Sequence, residues 1–310
     1  MKALVIGGAG FIGSNIVKIL NRRNYEIVVL DNLTTGYKEN LNEIAGVNLI
    51  IGDISNKNDL LGAAKDCDII FHLAANIGNL KSINDPVFDS QTNIIGTLNV
   101  LECARQNNIK KIVYSSSAAI FGEPRYQPIN EKHSFAPDSP YGVSKLAGEL
   151  YCLCYNHLYN MENVCLRYFN VYGINQRYDT YGNVIPIFTS LLLNNKSISI
   201  YGDGEQTRDF INVKDVAMAN ILAAEMTGIS GVFNIGTGKA ITINVLAQTI
   251  KNILNDHSPI IYSSPRKGEV IHSLADISKA KEILAFDPCS DINCNLIEYI
   301  DWYKSENALA

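Results

Sequence analysis

A tyrosine and a lysine stand four residues apart at the start of a predicted helix. The stretch Ser139-Pro140-Tyr141-Gly142-Val143-Ser144-Lys145 begins with a serine and a proline, which suit the first turn of a helix. The spacing puts the Tyr141 phenol and the Lys145 ammonium on one face. The positive charge should lower the pKa of Tyr141 from about 10, so that the phenol can exchange a proton with a sugar or alcohol hydroxyl. A half-buried tyrosine beside a solvated lysine would show the same spacing, so the rest of the chain must decide between the two.

A glycine-rich turn near the N-terminus predicts a dinucleotide site. A predicted strand, 2–6, runs into Gly7-Gly8-Ala9-Gly10-Phe11-Ile12-Gly13, and a predicted helix, 14–22, follows. The glycines at 7, 10 and 13 allow a tight turn, close approach of the backbone to a pyrophosphate, and close packing of helix on strand. The N-terminus of the helix offers N–H groups to phosphate.

An acidic residue after the second predicted strand indicates which dinucleotide is bound. Asp31 follows the strand 26–30, where a carboxylate can accept hydrogen bonds from both ribose hydroxyls of an adenosine. It would repel a 2′-phosphate, and no arginine follows it directly, so NAD is favoured over NADP. A third strand, 49–51, leads to Asp53, which either lies beside the adenine or only caps the next helix.

Further strands and helices alternate along the first half of the chain. Strand 69–73 ends in Ala74-Ala75, Asn93 opens a helix through Arg105, and strand 111–114 leads to Ser115-Ser116-Ser117. This alternation predicts an α/β fold with a doubly wound parallel sheet. Since 310 residues exceed the roughly 250 at which one core stops growing, we expect an NAD-binding Rossmann domain over 1–170, with returning segments near 211–238, and a smaller interleaved substrate lobe over 171–310.

Composition argues against several classes of partner. The chain has 26 basic and 31 acidic residues, a net charge of −5 and no concentrated basic run, which argues against nucleic acid and anionic membranes. No apolar stretch has the length of a membrane span and no signal-peptide pattern opens the chain, so we expect a cytoplasmic protein. The seven cysteines and five histidines are dispersed without metal-ligand spacing, and we expect no metal site.

Short motifs follow one another along nearly the whole chain. They are Gly7-x-x-Gly10-Phe11-Ile12-Gly13, Asp31-Asn32-Leu33, Gly52-Asp53-Ile54, His72-Leu73-Ala74-Ala75, Ser115-Ser116-Ser117, Ser139-Pro140-Tyr141-Gly142-x-Ser144-Lys145, Arg167-Tyr168-Phe169-Asn170 and Arg208-Asp209-Phe210. In this order they resemble the extended short-chain dehydrogenase/reductase family, which includes nucleotide-sugar epimerases and dehydratases. Within it, the chain is most similar to the UDP-glucose/UDP-N-acetylglucosamine 4-epimerases.

The resemblance implies a reaction and a set of site residues. NAD, held tightly, would take a hydride from sugar C4 and return it to the other face of a transient 4-keto intermediate. Tyr141 would be the acid/base at O4, Lys145 would lower its pKa and hold the nicotinamide ribose, and Ser117 would hydrogen-bond O4. The implied cofactor contacts are Gly7, Gly10, Phe11, Ile12, Gly13, Asp31, Asn32, Asp53, Ile54, Leu73, Ala74, Ala75, Asn93, Ser115, Tyr141, Lys145, Tyr168 and Phe169. The implied substrate contacts are Ser117, Tyr141, Asn170, Asn183, Tyr201, Arg208, Arg266, Glu269 and Ser273.

Residues around these positions separate the reactions of the family. Ala118 and Ala119 stand where similar dehydratases have Asp-Glu and similar decarboxylases a glutamate, which favours simple epimerisation. Ser273 stands where glucose-restricted epimerases have a tyrosine, which predicts room for an N-acetyl group. Ile77 stands where some relatives place a lysine against the cofactor phosphates, which predicts weaker retention of NAD.

Several alternatives remain open at this stage. Tyr201, predicted to pack by the uracil, could instead be a core aromatic, and Arg208 and Arg266, predicted to bind pyrophosphate, could form surface ion pairs. The enzyme could be a UDP-uronate 4-epimerase or a CDP-sugar 2-epimerase, and a non-catalytic dinucleotide sensor is a third reading. The resemblance also implies a homodimer through the helices 97–105 and 141–155, and the second carries surplus apolar residues such as Leu150.

Overall fold

The computed structural model describes residues 1–178, 182–265 and 270–308. Of residues 307 and 308 it describes the backbone only. The strands are β1 (Lys2–Ile6), β2 (Glu26–Asp31), β3 (Val47–Ile51), β4 (Ile69–His72), β5 (Lys111–Ser117), β6 (Glu162–Tyr168), β7 (Asn170–Tyr172), β8 (Ile198–Tyr201), β9 (Thr207–Arg208), β10 (Phe210–Asn212), β11 (Gly231–Ile235), β12 (Ile241–Thr242) and β13 (Ile260–Ser263). The α-helices are α1 (Phe11–Arg22), α2 (Lys57–Ala63), α3 (Asn79–Asn84), α4 (Pro86–Ser90), α5 (Gly96–Gln106), α6 (Pro140–Tyr159), α7 (Val184–Leu193), α8 (Val213–Glu225), α9 (Ile243–Leu254), α10 (Ser278–Leu284) and α11 (Ile292–Ala308).

A parallel sheet forms the centre of the molecule. Within the described residues its strand order is β11-β6-β5-β4-β1-β2-β3, and every neighbouring pair is parallel. The order reverses between β1 and β4, and a doubly wound sheet binds its ligands at that crevice, beyond the carboxyl ends of the strands. This confirms the predicted fold class.

Both faces of the sheet are covered by helices. On one face, apolar side chains of α1 and α8 pack with those of the strands around Val5, Ile16 and Val216. On the other, α2, α5 and α6 pack around Leu60, Val100 and Cys152. Because both faces are buried, the strands are nearly continuous runs of apolar residues.

The second half of the chain builds a separate small core and also returns to the sheet. Helices α7, α9 and α11 enclose a cluster that includes Phe188, Leu246 and Tyr299. Meanwhile β11 forms the edge of the central sheet beside β6, and α8 packs against α1. The division of the chain into domains at residue 170 stays a prediction.

The helix predicted to begin at Asn93 was placed wrongly. Helical structure begins at Pro86, and Asn93 lies within a π-helical turn, Gln91–Ile95, that leads into α5. Asp85 caps the segment by accepting from the Phe88 N–H, a signal missed in the sequence. Among the described residues, no helix is long and apolar enough to cross a membrane.

Candidate active site

The glycine turn is held between β1 and the end of β4. Gly7 has a φ of +79° and donates its N–H to Leu30 O over 2.8 Å. A Cβ on Gly7 would lie 2.7 Å from Ala74 N, and one on Gly13 would overlap the Gly7 carbonyl oxygen. Only glycine fits these two places, so the backbone and the N-terminus of α1 remain open to a pyrophosphate, as NAD requires.

The backbone after β4 lies directly beside this turn. Leu73 N and Ala74 N both donate to Ile6 O, over 2.9 and 3.1 Å. The small side chains of Ala74 and Ala75 are half-buried at this edge. Their predicted contact with the cofactor stays a prediction.

Asp31 is a buried carboxylate held by backbone amides. It is 7% exposed; Oδ2 accepts from Ala9 N and Oδ1 from Leu33 N, each over 2.9 Å. A side chain on Gly36 would lie 2.8 Å from Oδ1, so the loop after β2 comes close to the carboxylate. Each oxygen keeps a further lone pair for a ribose hydroxyl. The residues present therefore fit NAD.

Asp53 is not a helix cap. Its carboxylate accepts from Ser55 N over 2.8 Å and from Asn32 Nδ2 over 2.6 Å, whereas α2 is capped by Asn56. Burial raises the pKa of Asp53, but the hydrogen bonds from Ser55 and Asn32 outweigh it and leave the pKa below its ordinary value. The capping alternative was wrong, and the predicted place beside an adenine stays a prediction. The Ile54 side chain is buried against Gly96, and its predicted contact with the cofactor stays a prediction.

Ser117, Tyr141 and Lys145 converge at the carboxyl end of β5. Ser139 caps α6 by accepting from Gly142 N over 3.1 Å, which sets the position of Tyr141 and Lys145 in the first turns. Lys145 is 3% exposed, with Nζ 4.7 Å from the centre of the Tyr114 ring. The Ser117 hydroxyl interacts with the Tyr141 phenol.

Burial changes the expected acidity of this pair. It raises the pKa of Tyr141 to about 12, and the interaction with Ser117 opposes that rise only in part. Burial also lowers the pKa of Lys145 to about 8. The sequence-based expectation of a lowered tyrosine pKa is therefore wrong for the protein alone, because burial disfavours both charged forms.

Asn93, predicted to contact the cofactor, is engaged within the protein. It is 2% exposed, accepts from Asn76 N, and donates to Asp89 Oδ1 and Ser144 Oγ over 3.1 and 3.0 Å. Asp89 is fully buried, and its Oδ2 has no partner among the described residues. Sequence analysis missed Asp89 because it precedes the helix predicted to begin at Asn93, in a segment for which no element was predicted.

The two aromatic residues after Arg167 lie beneath the site. Tyr168 is 6% exposed and its hydroxyl donates to Asn220 Oδ1 over 3.0 Å. Phe169 is also 6% exposed and packs in a small cluster with Phe121. Their predicted contacts with the cofactor stay predictions.

Several predicted substrate residues are brought to one side of the crevice. Arg208 Nη1 donates to the carbonyls of Thr207 and Ile271, and Ser273 N donates to Thr207 O over 3.1 Å, so Arg208 and Ser273 are neighbours. Ser273 is 7% exposed.

Other predicted substrate residues lie at the ends of nearby elements. Asn170 begins β7 and Asn183 precedes α7; their amides donate to Asp209 O and Val171 O. Tyr201 is 37% exposed at the end of β8, so the core-aromatic alternative is wrong. Arg266 and Glu269 lie outside the described residues.

Asp209 was singled out only as part of a motif, but it connects three segments of the substrate side. It is fully buried; Oδ1 accepts from the N–H and hydroxyl of Thr237, and Oδ2 from Gly238 N and Ala275 N. These bonds tie the strand segment that carries Arg208 to two loops. Nothing in the local sequence predicts this set of partners.

The fold and the site together define a dinucleotide-dependent enzyme of the short-chain dehydrogenase/reductase type. Over residues 3–236 the chain matches the NAD dependent epimerase/dehydratase family, and it belongs to that family. It is an epimerase-class enzyme whose cofactor is NAD.

Known proteins resemble the chain along nearly its whole length. A Methanocaldococcus jannaschii protein assigned as a UDP-glucose 4-epimerase is 44% identical over 306 residues, covering 98% of this chain and 99% of that one. The UDP-N-acetylglucosamine 4-epimerase of Methanobrevibacter ruminantium, solved with UDP-N-acetylmuramic acid, is 41% identical, with a TM-score of 0.94 over 98% of both chains. The Thermotoga maritima UDP-glucose 4-epimerase, solved with UDP-glucose, is 36% identical, with a TM-score of 0.95 over 99% of this chain and 100% of that one.

Proposed function

We propose that the chain is a 4-epimerase of UDP-hexoses, acting on UDP-glucose/UDP-galactose and on UDP-N-acetylglucosamine/UDP-N-acetylgalactosamine. The observation that carries the proposal is the convergence of Ser117, Tyr141 and Lys145 at one edge of the sheet, beside the glycine turn. The names of the similar proteins, which cover both pairs of sugars, support it.

The proposed chemistry needs little from the protein beyond proton transfer at one hydroxyl. Bound NAD would supply the reversible hydride acceptor, so that the sugar passes through a 4-keto form. Tyr141 would take the O4 proton and return it, while Ser117 would hydrogen-bond the same oxygen. Lys145, buried and charged below a pKa of about 8, would favour the phenolate at the moment of transfer.

The surroundings of Ser117 favour epimerisation over elimination. Ala118 and Ala119 begin a short 3₁₀ turn directly after it, and Ser117 Oγ accepts from Ala119 N over 3.2 Å. Dehydration would require a further acid and base at this place, and alanine supplies neither.

Ser273 supports acceptance of N-acetyl sugars. It is small, buried and adjacent to Arg208, the residue proposed to bind the pyrophosphate. A tyrosine there would fill space that a 2-N-acetyl group needs. We therefore expect Ser273→Tyr to lower turnover of UDP-N-acetylglucosamine by about 100-fold while turnover of UDP-glucose stays within a few-fold. Ser273→Ala is the matched control and should keep both.

The experiment mixes purified protein with UDP-N-acetylglucosamine or UDP-glucose and follows the axial 4-epimer by NMR, for the wild type and these two variants. Conversion of both sugars is expected, and Tyr141→Phe should slow both by ~10²–10⁴-fold. Conversion of UDP-glucose alone would overturn the N-acetyl part. If neither sugar reacts with NAD supplied, the function proposed here is wrong, and UDP-uronates and CDP-sugars are the next substrates to test.

We also propose that two chains associate through α5 and α6. These helices are linked to each other by the Tyr155 hydroxyl, which donates to Glu102 over 2.6 Å. Leu150 and Leu158 on α6 are 50% and 60% exposed. Exposed leucines on one helix of such a pair are typical of a surface that another copy covers.

A further inference from the structure

The loop that follows Asp31 is folded back onto the glycine turn. We call residues 32–41 the adenosine loop, since they continue from the carboxylate that fits the ribose. Tyr37 N donates to Ala9 O over 3.0 Å, and Asn40 Nδ2 donates to the same oxygen over 2.8 Å. These hydrogen bonds thus hold the loop against the glycine turn that would receive the pyrophosphate.

A segment from the other half of the chain lies against the start of α1. Ile174 O accepts from Asn15 Nδ2 over 3.0 Å, and Asn175 Nδ2 donates to Ser14 Oγ over 2.9 Å. Ser14 and Asn15 are 1% and 8% exposed. The segment after β7 is therefore fixed beside the helix whose N-terminus would face the phosphates.

Arg177, at the end of this segment, reaches from there to the adenosine loop and to α11. Its guanidinium lies 4.0 Å from the centre of the Tyr37 ring and donates to Asn40 Oδ1 over 2.8 Å. It also donates to Glu306 Oε2 over 2.6 Å, and its carbon lies 6.0 Å from the Trp302 ring centre. One side chain therefore joins three parts of the chain that are far apart in sequence.

The chemistry of arginine suits this place. A guanidinium is planar and always protonated, so it can stack on an aromatic face while its edge donates to an amide and a carboxylate. Arg177 contacts two residues of the adenosine loop, Tyr37 and Asn40, and these same residues donate the hydrogen bonds to Ala9 O. Movement of the loop away from the glycine turn would therefore break the contacts of Arg177 at the same time.

We propose that Arg177 is a positioning residue that holds the adenosine loop closed on NAD and so sets the rate at which the cofactor leaves. The contact would offset the weaker retention of NAD predicted from Ile77, which is 54% exposed. This inference depends on NAD and not on which sugar the enzyme converts, so its test and that of the proposed function fail independently.

The test measures release of the cofactor directly. Protein carrying isotopically labelled NAD is diluted into excess unlabelled NAD, and the label left on the protein after rapid desalting is followed over time. Arg177→Ala should release the label about tenfold faster than the wild type. Arg177→Lys, which keeps the charge but loses the planar fork, should fall between the two. Arg23→Ala is the matched control, because Arg23 also pairs with a carboxylate, Glu225, but does not touch the loop.

Glu306→Gln provides a second variant if Arg177→Ala fails to fold. It weakens the contact with α11 and leaves the adenosine loop itself unchanged, so release should be about two- to threefold faster. The proposal is overturned if neither variant releases the label faster than the wild type. It is also overturned if Arg23→Ala accelerates release as much as Arg177→Ala, because the effect would then be one of general destabilisation.

Discussion

At the scale of single residues, the spacing of Tyr141 and Lys145 determines that they share a face of α6, whereas their burial determines the direction of their pKa shifts. Their i, i+4 spacing puts both on one face of α6, but Lys145 is nearly fully enclosed by the protein. Burial raises the pKa of the phenol to about 12 and lowers that of the ammonium to about 8, so each side chain is shifted toward its neutral form. The positive charge of bound NAD, added to that of Lys145, is what would favour the phenolate.

Lys145 should cost stability in a pH-dependent way. Its pKa is about 8 in the folded protein and about 10.4 when unfolded, so between these values only the unfolded chain binds the proton and wild-type stability rises with pH. Below pH ~8 the folded protein carries the full cost of a buried charge, about 3 kcal/mol. Lys145→Met should therefore be more stable than the wild type at pH 7, by an amount that shrinks toward pH 10.

Urea unfolding of both proteins without cofactor, at intervals from pH 6 to 10, measures this difference. A difference in unfolding free energy that does not change with pH would contradict the assignment of a lowered pKa to Lys145.

At the scale of elements, the position of α6 depends on a buried ion pair. Glu149 on α6 accepts from Arg167 on β6 over 2.5 and 2.9 Å and from Ser116 on β5 over 2.7 Å. The Arg167 guanidinium also lies 5.2 Å from the Phe121 ring centre. The pair thus joins the helix that carries Tyr141 to two strands whose ends form the site.

Removing one partner of this pair should be costly. Glu149→Gln or Arg167→Met leaves the other group buried and uncompensated, and should lower the unfolding free energy by ~3–5 kcal/mol. Replacing both together, as Glu149→Leu with Arg167→Met, should cost less than the two single changes added. Lys214→Met is the control, because it breaks an exposed pair with Glu298 and should cost only ~0–1 kcal/mol.

Denaturant unfolding of the wild type and these four variants tests this. If Glu149→Gln lowers the unfolding free energy no more than Lys214→Met does, the pair of Glu149 and Arg167 does not anchor α6.

At the scale of the whole molecule, the two halves of the chain are interleaved. The last strand of the sheet, β11, comes from beyond residue 230, and Arg177 and Asn40 meet although 137 positions separate them. By contrast, α6 presents apolar side chains such as Leu150 and Leu158 on the outside of the first half.

Association of two chains should depend on that outer face. Leu150→Glu places a charge in the proposed contact, and the variant should elute at the mass of one 34.2 kDa chain, while the wild type elutes at twice that mass. Val245→Glu on α9 is the control, since Val245 is equally exposed at 50% but lies in the other lobe. Light scattering after size-exclusion chromatography measures both, and a wild type that elutes as one chain would contradict the dimer.

The local sequence determined the glycine turn, the start of α6 and the shared face of Tyr141 and Lys145. Gly7 adopts a φ of +79°, and a side chain on Gly13 would overlap the Gly7 carbonyl oxygen. Ser139 caps the helix that starts one residue later, and the spacing of Tyr141 and Lys145 follows from the helix itself. These features depend on residues a few positions apart or on an α/β pattern that repeats along the chain. Hence the fold, the cofactor and the catalytic residues could be proposed without a structure.

Only the tertiary structure decided how the polar side chains are used. Asn93 donates a hydrogen bond to buried Asp89, and Asn56, not Asp53, caps α2. The Arg177 guanidinium stacks on the Tyr37 ring, which is distant in sequence. The direction of the Tyr141 pKa also depends on how much protein surrounds it. Hydrogen-bond partners and desolvation come from segments distant in sequence, and their contribution cannot be read from the spacing of residues along one helix.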